Sequence, residues 1–304
     1  MVAGGLVEFE RHRPRLFALA YRMLGSATEA EDAVQETYLR WETTRRAEIG
    51  SAEAWLTTVL VNLCRTWLDS ARARRETYVG SWLPEPVPTG HGELGPLESA
   101  EQRELVSMAM LTMLERLTPT ERSVFVLREA FGYAHREIAD MLALSESNSQ
   151  QLYRRAVQHV RADRRRFETT PDQVRVLFEK FLAAAHSGDV AGLEAMFTAD
   201  VVSTADGGGK IHAARRPVVG PARVAQYLNG LVTRLLPEFP AASFAFEEVN
   251  GEPALVFRTA GTVFMIGTIE VEDDRIAALR MVLNPDKLAY FARVERAFAG
   301  ETAC

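Results

Sequence analysis

Leu117–Arg166, LTPTERSVFVLREAFGYAHREIADMLALSESNSQQLYRRAVQHVRADRRR, is the stretch whose reading decides the fold. Thr118-Pro119-Thr120-Glu121 is a capping box, with Pro at the first helical position, where a missing N–H costs nothing. The helix it opens ends near Gly132. A short helix, EIADMLAL, follows, and a tight turn at Leu144-Ser145 leads into a last helix. Ile138, Leu142, Leu144 and Tyr153 form the core of this helix pair, and Ala139 lets the two helices approach closely. Ser145 caps the final helix, leaving Ser147, Asn148, Gln150, Gln151 and Arg154 to face outward. Asn and Gln match the adenine edge, and Arg matches guanine or phosphate. Arg155 and Arg161 come later, where cations tether a recognition helix to phosphates.

The rest of the chain limits what such a helix pair serves. With 304 residues there is room for two domains with their own cores. The net charge of −6 argues mildly against a free-standing DNA binder. Charge is unevenly placed, however. Asn148–Arg166 holds six arginines against the single acid Asp163, and Arg72, Arg74 and Arg75 form a second cationic run. Local basic stripes on an acidic chain suit a DNA reader that borrows affinity from a partner. No apolar run is long enough for a membrane span and no signal pattern opens the chain, so a cytoplasmic protein with no membrane partner is expected. Cys64 and Cys304 are the only cysteines, which excludes a disulfide framework or a Cys-rich zinc site. No metal or cofactor is expected.

Residues 6 to 79 read as helices. Thr28-Glu29-Ala30-Glu31 reads as a capping box, after which Ala30, Val34, Thr37, Tyr38 and Trp41 share an apolar face. Asp32, Gln35 and Glu36 point away from it. Trp55, Val59, Leu63 and Leu68 line a further helix that runs into ARARR. Gly80, Pro84, Pro86, Pro88, Gly90, Gly92 and Gly95 then make the next stretch a linker with an apolar island, Trp82-Leu83-Pro84. After Pro171 the pattern changes class. Helices over about 171–187 and 189–197 precede a strand at Val201–Thr204 and a helix over about 220–235. Strands then run through Phe244–Val249, Ile266–Val271 and Ile276–Leu283, with turns at Asn250-Gly251 and Asp273-Asp274. The expectation is an α+β cone with a curved antiparallel sheet enclosing a pocket.

Glu29–Trp41, EAEDAVQETYLRW, resembles the sigma-factor helix that docks on the clamp helices of RNA polymerase. AWLTTVLVNLCRTWLDSARARR resembles the adjoining segment that binds the promoter −10 element. With the helix-turn-helix, residues 6 to 166 resemble the extracytoplasmic-function sigma factors, which keep only the −10 and −35 reading domains. RRETYVGSWLPEP at 74–86, DGGGK at 206–210 and NPDKL at 284–288 resemble the subgroup with a C-terminal SnoaL-like domain. The resemblance implies a multidomain chain: an all-α domain over 1–79, a linker over 80–97, a helix-turn-helix domain over 98–168, and an α+β SnoaL-like, cystatin-like cone over 171–304.

It also implies partners and roles. Core RNA polymerase would meet Asp32, Gln35 and Glu36, a face that otherwise reads as solvated helix. The loop holding Arg45 and Arg46 stands where these factors capture a flipped −10 base. Asn62 stands where a promoter-contacting Asn is common, its alternative being an amide bonded to backbone. Arg72, Arg74 and Arg75 complete the −10 set. Departures are Thr66 near a usual Asp, Ser149 in place of a small apolar residue, and Ala134 in place of a helix cap. The C-terminal domain is expected to regulate in cis, replacing a separate anti-sigma factor. It would pack on the first two domains in the free protein, gripping the linker around Trp82, Leu83, Pro84, Glu85 and Pro86. Its motif residues Asp206, Gly207, Gly208, Gly209 and Lys210 read first as a loop whose glycines permit positive φ, and Asn284, Pro285, Asp286 and Lys287 read first as a turn after a strand; both belong to the expected regulatory, interdomain set. A small-molecule ligand in the cone is a further partner the resemblance allows. Two rivals remain: a polymerase-independent helix-turn-helix regulator with a ligand-sensing domain, and a cyclase or isomerase using Asp206, His212, Asp286 and Lys287. The expectation is a non-enzyme.

Overall fold

The computed structural model describes residues 2–45, 48–89, 94, 99–163, 170–235, 239 and 241–301. The chain divides into two units, residues 1–77 with 89–165, and residues 78–88 with 166–304.

In the first unit, α1 (Val2–Leu24), α2 (Ala27–Thr43) and α3 (Ala52–Glu76) pack on one another. Gly25 ends α1 at φ +67°, and Ser26, in extended backbone, caps α2 by accepting from Glu29 N at 3.1 Å. The cap therefore lies two residues before the Thr28 read from sequence, because the left-handed glycine fixes where the new helix starts. Ala30, Ala33, Val34, Thr37 and Trp41 are buried. The Trp41 indole donates to Gly5 O at 2.9 Å, so this aromatic buries its ring without orphaning its N–H. On α3 the buried stripe is Leu56, Leu60, Leu63 and Cys64; Trp55 and Val59 are only half-buried.

Short helices α4 (Ala100–Glu104) and α5 (Met108–Leu114) lead to α6 (Pro119–Glu129), α7 (His135–Leu142) and α8 (Glu146–Asp163). The Thr118–Glu121 box forms in both directions. The α7–α8 turn is made by Ala143 at φ +55°, one residue before the expected Leu144-Ser145. Arg122 on α6 is 1% exposed and donates to Arg22 O and, at 2.5 Å, to Glu115, which also pairs with Arg75. Burial pushes the Arg122 guanidinium down to about 9 and the Arg22 guanidinium down to about 10. Both stay charged at neutral pH.

The second unit runs α9 (Pro171–Ser187), α10 (Val190–Ala195), β1 (Phe197–Asp206), β2 (Val218–Val219), α11 (Pro221–Leu235), β3 (Ser243–Val249), β4 (Glu252–Thr259), β5 (Thr262–Glu272), β6 (Arg275–Val282) and α12 (Pro285–Glu301). The strands order as β2-β1-β6-β5-β4-β3. All neighbours are antiparallel except β1 and β6, which run parallel. The wholly antiparallel sheet expected from sequence is thus a mixed one: β6 returns beside the first strand of the unit instead of at an edge. Strand alternation gives the sheet two faces. Ala205, Met281, Gly267 and Leu255 lie in register on one, and Asp206, Val282 and Ile266 on the other. Among the described residues, no helix is long and apolar enough to cross a membrane.

Candidate functional site

On α2, Asp32 and Gln35 are exposed and Glu36 is half-buried, opposite the packed Ala30–Trp41 stripe. Glu36 accepts from Arg40 Nε at 3.0 Å one turn on, a surface pair of small energetic weight. The face therefore presents carboxylates and an amide to solvent on a helix fixed from behind.

Arg45 is exposed at the start of the loop after α2, and Arg46 lies outside the described residues. Asn62, half-buried on α3, donates through Nδ2 to Thr58 O at 2.8 Å and to Met141 O on α7 at 3.1 Å. Its neighbour Arg65 donates to Leu142 O at 3.4 Å. The amide is thus bonded to backbone, including the carbonyl of a helix in the helix-turn-helix. Thr66 turns its hydroxyl back onto Asn62 O at 3.0 Å. Arg72 and Arg74 lie on α3, but their side chains are outside the described residues. Arg75 is half-buried, donates to Leu24 O at 2.9 Å and pairs with Glu115, so it is committed to packing.

In the helix-turn-helix, Ser145 Oγ accepts from Asn148 N at 3.2 Å and caps α8. Ser147, Asn148, Gln150, Gln151, Arg154 and Arg155 are all exposed, while Ser149, Ala156 and Val160 are buried behind them. The side chain of Arg161 lies outside the described residues. Ala134 starts α7 with no side-chain cap of its own. Glu137 compensates by accepting from Ala134 N at 2.7 Å, half of a capping box. Ser149, fully buried, is satisfied by His135 Nδ1 at 3.0 Å, which explains how a hydroxyl is tolerated where a small apolar residue is usual. Desolvation, with Arg128 nearby, pushes the His135 pKa below its ordinary value. Leu144 and Tyr153 sit at the margin of the core, Tyr153 donating to Glu129 at 2.6 Å.

The second unit gathers most of the motif residues around the segment 78–88. Asp206, at the end of β1, is fully buried. Its Oδ2 accepts from Leu83 N at 2.9 Å and from Lys287 Nζ at 2.7 Å, and its Oδ1 accepts from Tyr78 OH at 2.6 Å and Gly208 N at 3.0 Å. Lys287 also donates to Leu83 O and lies 4.1 Å from the centre of the Trp82 ring. Asn284 donates to Tyr78 OH at 2.8 Å and, through Oδ1, accepts from Asp286 N. Leu83, Pro84, Pro86 and Val87 are buried, Glu85 half-buried, and Val87 exchanges two 2.9 Å bonds with Asn250.

The glycines have separate reasons. A Cβ on Gly208, at φ +60°, would lie 2.4 Å from Asn284, and one on Gly207 would lie 2.3 Å from Ile211 O. Gly209, at φ +72°, rests against Val79. Lys210 and Asp286 pair with each other at 2.7 Å on the surface, and Pro285 is exposed at the start of α12. Sequence reasoning missed Tyr78, although it stands inside the quoted RRETYVGSWLPEP string; its burial and the Asp206 bond raise its pKa.

Of the residues the enzyme rival would use, two are brought into contact. Asp206 and Lys287 meet, but His212 is exposed and Asp286 faces Lys210. By register, Asp206 lies on the sheet face opposite Gly267 and Met281, which line the unit's large apolar cavity.

Sigma-70 region 2 matches residues 9–74, and Sigma-70, region 4 matches residues 107–160. The chain is 38% identical over 291 residues to the ECF RNA polymerase sigma factor SigJ of Mycobacterium tuberculosis, covering 92% of each chain. It is 28% identical over 283 residues to the probable ECF RNA polymerase sigma factor SigI of the same species, covering 91% of this chain and 92% of that one. The crystal structure of M. tuberculosis SigJ matches with a TM-score of 0.70 at 34% identity, covering 94% of this chain and 98% of the other. The chain belongs to the extracytoplasmic-function (ECF) RNA polymerase sigma factors.

Proposed function

We propose that this protein directs core RNA polymerase to promoter DNA and starts transcription there, with its C-terminal unit acting on it in cis. The observation that carries the reading is α8: six exposed Ser, Asn, Gln and Arg side chains over a buried back, on a capped helix. Asn148, Gln150 and Gln151 read base edges of the −35 element, and Arg154 and Arg155 hold its flanks. Asn62 and the Arg45–Arg46 loop serve the −10 element. Asp32, Gln35 and Glu36 meet a basic surface of the polymerase. The protein works in the cytoplasm, where core polymerase is.

The cis role rests on the clasp. Residues 78–88 connect the region 2 helices to the region 4 helices, and they are bound along both edges by Asp206, Lys287, Asn284 and Asn250. A tether held this way has a fixed path. Releasing it changes how far apart the two DNA readers can reach, and polymerase shifts that equilibrium by its differential affinity for the released form. No separate anti-sigma factor is then required. The test is promoter-specific transcription by purified core polymerase with the full chain and with Asn250→Ala, which removes one of the clasp's ties. The reading expects transcripts that depend on the chain and change in amount with the variant. No chain-dependent transcript overturns the sigma function, and identical activity in the variant overturns the cis role.

A further inference from the structure

The second unit contains a cavity of about 870 Å³ between the sheet and helices α9 and α11, within the range of about 300–1,000 Å³ typical of sites for drug-sized molecules. Its floor is the sheet face bearing Leu255, Met265, Ile269, Leu279 and Met281, with one gap at Gly267. Gly267 sits mid-strand between Leu255 and Met281, and its φ lies outside the left-handed region. A Cβ built there meets nothing within 4 Å. Neither backbone conformation nor crowding therefore calls for glycine. A bare patch of strand backbone inside a side-chain carpet marks where something else comes close.

The surroundings define what that is. Among the described lining residues the ionisable ones are Glu179 and His186, both at exposed positions on α9. Among the described lining residues, no ionisable side chain is buried within the cavity to pair with a charged group, which would lose its hydration there. One wall is a continuous aromatic series. Phe239 stacks on Phe264 at 4.0 Å, Phe264 lies 6.2 Å from Phe257, and Phe257 lies 5.9 Å from Phe244. A β-bulge skips Phe264 in the register between β4 and β5, which re-aims its ring. Ring edges and faces at these spacings complement another ring, and a rigid planar guest loses little freedom on binding.

We propose that this cavity is a receptor site for a neutral, mainly apolar small molecule carrying a planar ring, seated against the Gly267 backbone beside Phe257 and Phe264. Asp206 and Lys287 take no part in it, because they are engaged in the clasp and do not line the cavity. It does not depend on polymerase, so the binding assay and the transcription assay fail separately.

The test titrates the full chain with N-phenyl-1-naphthylamine, a neutral fluorescent ring compound, and compares displacement by 1-naphthol and by decanoate. Saturable binding of one dye per chain is expected, displaced by 1-naphthol at lower concentration than by decanoate. Gly267→Leu, which fills the gap, and Ala183→Trp, which narrows the mouth from an exposed position on α9, should each raise the dye's Kd roughly tenfold or more. Melting curves establish that each variant is folded; if Gly267→Leu is not, Ala183→Trp decides. Non-saturable dye uptake, an unchanged Kd in a folded variant, or preferential displacement by decanoate overturns the proposal.

Discussion

Lys287 and Asp206 pair at 2.7 Å with side chains only 6% and 0% exposed, and Leu83 of the tether closes the pair from both sides. Its N–H donates to the carboxylate and its carbonyl accepts from the ammonium. A charge pair taken this far out of water holds only while its remaining hydrogen-bonding groups are also satisfied. The tether supplies three of those bonds, two from Leu83 and one from the Tyr78 hydroxyl, so the fold of the second unit and the path of the tether are one energetic question.

Replacing one member exposes that dependence. Lys287→Met leaves Asp206 buried without its cation and should cost about 3–5 kcal/mol. The shift of the denaturant unfolding transition measures this. The double variant Asp206→Asn/Lys287→Met should recover part of the loss, because no uncompensated charge remains.

Asn62→Ala removes the bonds to Thr58 O and Met141 O. Two backbone carbonyls lose one donor each, so the stability cost should be about 1–3 kcal/mol. If Asn62 reads the −10 element, promoter opening should fall more steeply than stability. Fluorescence of 2-aminopurine placed at the −10 position, beside a melting curve of the same variant, separates the two effects.

Along α8, charge and amide substitutions should behave differently. Arg155→Ala should weaken binding about equally on all promoter sequences and lower the salt slope by about one unit. Gln151→Ala should instead relax preference at one base position, by about 1–3 kcal/mol. Binding of the chain–polymerase complex to promoter variants at several salt concentrations measures both.

His135 gives the helix-turn-helix an acid limit. Its pKa is depressed in the folded chain, by desolvation first and by Arg128 second. The unfolded chain therefore binds the proton more readily. Stability is complete above the ordinary histidine range, near pH 6.5, and falls as pH drops from there through the depressed value. His135→Gln, which keeps a polar partner for Ser149, should flatten that part of the pH–stability curve. Melting temperatures of both proteins between neutral and acidic pH check it.

The helix-turn-helix was legible because its signals are local: a Thr-Pro-Thr-Glu box, a glycine turn at Gly132, and Ser145 three residues before Asn148. The Ser26 cap is hidden in the sequence because Thr28 and Glu31 imitate a box, and only the left-handed Gly25 decides between them. Pairing of β1 with β6 is a long-range event that alternation cannot reveal, and strand patterning alone does not distinguish this parallel pair from an antiparallel one. The motif strings located Asp206, Asn284 and Lys287, but not the direction each side chain takes. Arg122 was invisible as a buried cation, since an arginine on a helix reads as solvated until Glu115 and Arg22 O are seen around it. The gap at Gly267 was equally hidden, because a glycine between Ile266 and Thr268 reads as a weak strand position until its neighbours across the sheet are known.

The most direct measurement is transcription from a promoter library by purified core RNA polymerase, with and without this chain, together with co-elution of the two on a sizing column. A stable complex is expected, with transcripts from a discrete set of promoters only when the chain is added. Absence of a complex, or transcripts that do not depend on the chain, would contradict this expectation.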